Sequence, residues 1–118
     1  VFTLAQQFAR KSGGNILQTH NPEEAARGAD VVYTDTWVSM GDETEKEKRL
    51  AVFPPYQVTD ELMKHAKPNA IFMHDMPAYR GKEVAASVID GPQSVIFDQA
   101  ENRLHAQKAV LVSFLKRA

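Results

Sequence analysis

The chain has 118 residues, 43% of them hydrophobic and 25% charged, with a formal net charge of -1. That length suits one domain of ordinary size, and the near-neutral charge argues against a general electrostatic grip on nucleic acid. No apolar run approaches the roughly 20 residues that span a bilayer, and the absence of cysteine removes disulfides and thiolate metal sites.

In chain order, Val1, Leu4, Ala5, Phe8 and Ala9 repeat at helical spacing and predict a helix that Gly13-Gly14 ends. No capping residue precedes it, which predicts a chain cut from something longer. Val1, Phe2, Thr3 and Leu4 carry neither the basic segment nor the cleavage site of a secretory leader, so none is expected. Residues 15–19 read as a short strand. Asn21-Pro22-Glu23-Glu24 reads as a capped helix start with acids at the positive end of the dipole. Residues 29–34 are apolar without alternation, the mark of a buried parallel strand.

Residues 41–49 are dense in charge, with helical ion-pair spacings of Asp42 with Lys46 and Glu45 with Arg49. Thr59 caps a helix that buries Leu62, Met63 and Ala66. Residues 70–74 predict a third strand, 83–88 a short helix, 94–97 a fourth strand and 99–116 a final helix. Alternation of strand and helix predicts an α/β fold: a three-layer, Rossmann-like arrangement on a mainly parallel sheet, truncated at its amino-terminal side. Ligands in such sheets bind beyond the carboxyl ends of the strands.

Three segments fall at such ends: Asp35-Thr36-Trp37-Val38-Ser39-Met40-Gly41, His74-Asp75-Met76-Pro77 and Phe97-Asp98-Gln99-Ala100-Glu101-Asn102-Arg103. Each alone reads more readily as a capped turn or an acid-rich helix start. There is no G-x-G-x-x-G, Walker or G-x-S-x-G motif. The four histidines, His20, His65, His74 and His105, show no zinc-ligand spacing.

Taken together and in this order, the three segments resemble the D-x-W-x-S-M-G, H-C-L-P and F-x-x-A-E-N-R segments of the carbamoyltransferase family, specifically its ornithine branch. The similarity runs the length of the chain, and the Ser39-Met40-Gly41 segment separates it from the aspartate branch. The resemblance implies a fragment, about the last third of a two-domain enzyme. The S-x-R-T segment that holds carbamoyl phosphate has no match here. It also implies a cytoplasmic transferase that assembles as trimers, acts on the small molecules ornithine and carbamoyl phosphate, and needs no cofactor or metal. No nucleic-acid or membrane partner is expected.

By the same resemblance, Asp35, Ser39 and Met40 bind the amino acid, and residues 39–49 act as a lid over it. Arg103 contacts carbamoyl phosphate and donates to its carbonyl oxygen. His74 shapes its turn, the backbone of Asp75, Met76 and Pro77 meets the carbamoyl amino group, and the Met76–Pro77 bond is expected to be cis. One departure stands out: Asp75 replaces the family Cys, and Met76 the Leu. Asp75 is then the candidate proton acceptor. It brings a second carboxylate beside Asp35, a pair that repels unless the substrate ammonium lies between them. Other acceptors (putrescine or an acylated ornithine) and a non-catalytic module are the competing readings.

Overall fold

The computed structural model describes residues 1–39, 41 and 43–116. Helix α1 spans Phe2–Ser12 and stops at Gly13, whose φ of 75° is left-handed, with its N–H turned back to the helix. Helix α2, Pro22–Ala26, begins where the Asn21 side chain accepts from the Glu23 and Glu24 N–H groups at 3.0 and 3.2 Å. Strand β1 is Val31–Thr34. A single turn at Glu43–Glu45 leads into α3, Lys46–Val52. Helix α4, Asp60–Met63, is capped by Thr59, whose side chain accepts the Leu62 N–H. Strand β2 is Ile71–His74, α5 is Ala86–Ile89 and α6 is Ile96–Leu115.

The fold is α/β, as the alternation predicts. β1 and β2 run parallel in the register Val31↔Ile71 through Thr34↔His74. Residues 93–95 lie along the other edge of β2: the Phe72 N–H donates to the Gln93 carbonyl at 2.8 Å, and the Val95 N–H to the Phe72 carbonyl at 3.0 Å. The core gathers under β2, where Val58, Met63, Phe72, Val84, Val88, Ile89 and Ile96 pack together. Phe72 is fully buried, a burial that contributes about 1.5–3 kcal/mol.

Two expected strands do not form. Residues 15–19 have no ladder partner among the described residues, and a strand exists only through its neighbour. Ser94 makes only an isolated bridge to Phe72, and helix α6 has already begun at Ile96, earlier than the spacing predicts. The Glu45–Arg49 pair forms, at 3.1 Å, whereas the Asp42–Lys46 spacing involves Asp42, outside the described residues. Large apolar side chains stay open on the outer parts of β1 and α6, among them Tyr33, Leu111 and Phe114.

Candidate active site

The parallel register decides which residues meet at the rim. Thr34↔His74 is the last pair, so Asp35 and Asp75 leave the sheet side by side, on strands about 5 Å apart. Asp35 is exposed, and its Oδ1 accepts the Thr36 N–H at 2.6 Å. The Asp75 side chain is about half exposed. Beside it opens a cavity of about 330 Å³ lined by His74, Asp75, Gln99, Ala100, Asn102, Arg103 and Ala106. Gln99, Arg103 and Ala106 recur at i, i+4 and i+7, so one face of α6 forms the cavity wall. Asp75 and Arg103 thus border one space, and Asp35 stands on the neighbouring strand end.

His74 lies inside this rim rather than in the cavity mouth, for its side chain is fully buried. Its Nδ1 accepts the Met76 N–H at 2.9 Å, which assigns the ring proton to Nε2. The turn so held contains a cis Met76–Pro77 bond, as expected, and places Met76 at φ 59°. That left-handed conformation is uncommon for a residue with a side chain. Nε2 faces the Glu83 carboxylate at 3.4 Å, without hydrogen-bond alignment. Glu83 is itself fully buried and accepts the Tyr79 N–H.

Trp37 packs edge-on to Phe53 with ring centroids 6.1 Å apart. Its carbonyl accepts from Arg49 Nη1 at 3.2 Å, so the stem of the candidate lid is fastened to α3. Ser39 is exposed and lines a second cavity of about 270 Å³ under that stem, with Lys46 and Lys82. Met40 lies outside the described residues. A larger cavity, about 420 Å³, sits at the opposite end of β2 around Lys67 and Pro68. It holds none of the motif residues and lies at the end where parallel sheets do not usually bind ligands.

Two polar residues of this region escaped the sequence reading: Glu83, whose burial no periodicity announces, and Gln99, which sat unremarked inside the third motif. Among the described residues no cluster of three or more His, Cys, Asp or Glu could hold a metal ion. No helix there is long and apolar enough to cross a membrane.

Residues 1–114 match the Asp/Orn binding domain of aspartate/ornithine carbamoyltransferase. The ornithine carbamoyltransferase of Caldicellulosiruptor saccharolyticus is 63% identical over 112 residues, 95% of this chain and 36% of that protein. Among solved structures, ornithine carbamoyltransferase from Pyrococcus furiosus superposes with a TM-score of 0.85 at 56% identity, over 93% of this chain and 35% of that one. The anabolic ornithine carbamoyltransferase of Campylobacter jejuni reaches a TM-score of 0.92 at 38% identity, over 99% and 39%. The chain therefore spans little more than a third of the length of the relatives it matches.

Proposed function

This chain belongs to the aspartate/ornithine carbamoyltransferase family, and from that premise we propose that it forms the acceptor-binding, carboxyl-terminal part of an ornithine carbamoyltransferase. The remaining two thirds of that enzyme would supply the carbamoyl-phosphate domain. The observation that carries the reading is the rim itself: two carboxylates on adjacent strand ends and Arg103 across one cavity from the second of them.

The reaction joins the side-chain nitrogen of ornithine to the carbamoyl carbon, breaks the bond from that carbon to phosphate oxygen, and releases one proton, giving citrulline and phosphate. Ornithine arrives with its amine protonated, since such amines have a pKa of about 10. Asp35 and Asp75 bind the ammonium between them, and Asp75 accepts the proton as attack begins. Arg103 donates to the carbamoyl oxygen as charge gathers there, helped by the positive end of α6. The turn of Asp75, Met76 and Pro77 presents backbone groups to the carbamoyl amino group, with His74 holding that turn. Ser39 and Met40 close over the amino acid, removing water and strengthening each charge contact.

The full enzyme acts in arginine metabolism or the urea cycle, resides in the cytoplasm and assembles as a homotrimer. Incubating the full-length enzyme with carbamoyl phosphate and, in turn, ornithine, acetylornithine and putrescine tests the assignment. Citrulline from ornithine at the highest kcat/KM is expected, and preference for another amine overturns ornithine as acceptor. The 118 residues alone, lacking the other domain, should form no citrulline.

A further inference from the structure

We propose that Gln99 is a positioning residue that fixes Arg103 against the turn carrying Asp75; the proposal rests on the carbamoyl-transfer reading above. In a strand, alternate N–H groups point to the same edge. Phe72 and His74 therefore donate toward the segment that runs along β2, and Phe72 finds the Gln93 carbonyl there. The matching acceptor for His74 would come from two residues further along that segment, at Val95. The chain has turned into α6 by then, and the Val95 carbonyl is taken by the Gln99 N–H at 2.9 Å. The Gln99 side chain supplies the missing acceptor: its Oε1 accepts the His74 N–H at 3.0 Å. Its Nε2 reaches the Tyr33 hydroxyl on β1 at 3.4 Å.

One side chain thus touches both strands and belongs to the helix that bears Arg103. Arg103 follows Gln99 by one turn on the same face, and both line the cavity beside Asp75. The helix is consequently clamped to β2 at the last residue before the catalytic turn. Without that bond the start of α6 keeps only the Val95 N–H bond to Phe72 and the packing of Ile96 as anchors on β2, and a displacement near 1 Å at a reacting group can lower a rate by about 10²-fold.

Three variants of the full-length enzyme test this. Gln99→Met keeps the shape and removes the acceptor, Gln99→Glu keeps an acceptor, and Gln99→Asn withdraws it by one methylene. The expected result is a 10- to 100-fold fall in kcat, by the displacement argument of about 10²-fold, for Gln99→Met and Gln99→Asn. KM for carbamoyl phosphate should rise more than KM for ornithine, and Gln99→Glu should restore kcat to near wild type. Hydrogen exchange at the His74 amide gives a readout independent of turnover: protected in wild type and Gln99→Glu, faster in the other two. Unchanged kcat and KM in Gln99→Met, or a Gln99→Glu as impaired as Gln99→Met, overturns the proposal. If Gln99→Met does not fold, unchanged kinetics in Gln99→Asn or an unprotected His74 amide in wild type does the same. A wild-type enzyme that makes no citrulline removes the functional reading and the rate claim together, while His74 exchange still decides whether Gln99 holds the strand.

Discussion

β1 and β2 have the same length and direction and pair along their whole course, yet they live in different surroundings. β2 has β1 on one edge and residues 93–95 on the other, and Phe72 and His74 are fully buried. β1 has a single partner among the described residues, and Val31 and Tyr33 stay about half exposed. The strand that carries the Asp75 turn is therefore the fixed wall of the site. The strand that carries Asp35 leads into a stem fastened through Trp37 to α3 rather than to the core. The proposed function, in which one substrate is held and the other is closed over, calls for those two kinds of support.

The largest test of this contrast is stability. Phe72→Ala should lose about 3–5 kcal/mol, and Tyr33→Ala about 1 kcal/mol, read as urea midpoints at unchanged slope. Equal losses would remove the distinction between the strands. Next comes the wall's chemistry: Arg103→Met should lower kcat by about 10²–10³-fold, or about 2.7–4 kcal/mol, with folding unaltered by circular dichroism. A smaller effect is expected from Asp75→Cys. A thiol accepts a hydrogen bond from an ammonium far more weakly than a carboxylate does. KM for ornithine should rise about tenfold, the worth of one charged hydrogen bond. Identical kinetics would show that Asp75 plays no part.

The smallest effect lies just past the fixed wall. Arg80 and Asp90 form a half-exposed bidentate pair, at 2.6 and 2.8 Å, and the Arg80 hydrogen bond holds the Asp90 carboxyl below its usual range. A carboxyl depressed on folding stabilises the folded chain above its ordinary value and loses that contribution as pH falls through the depressed one. Arg80→Gln should shift the Asp90 titration upward by NMR and flatten the acid side of the stability curve slightly. No upward shift would mean the pair does not persist in solution.

How much of this was legible beforehand depends on how local each signal is. The starts of α2 and α4 were readable because Asn21 and Thr59 act on N–H groups two or three residues away. The stop of α1 at Gly13 is equally local. Residues 15–19 and 94–97 looked like strands by composition, but a strand is defined by a neighbour that no window of sequence contains. The rim segments were readable as motifs at strand ends. Gln99 was not, because its role arises only where α6 begins and takes the Val95 carbonyl. Glu83 gave no sign either, since a charged residue at the start of an expected helix reads as solvated until the fold buries it.

Each residue of β1 pairs with one 40 positions later in the chain, from Val31 with Ile71 to Thr34 with His74. Closing so long a loop is slow, and contacts of this separation form late in folding. The two carboxylates become neighbours only once that loop of 40 positions has closed. Changes in the length of the charged stretch between the strands would alter the closure entropy little, by about 0.6 kcal/mol per doubling, leaving that segment free to vary while the register of the pair is kept.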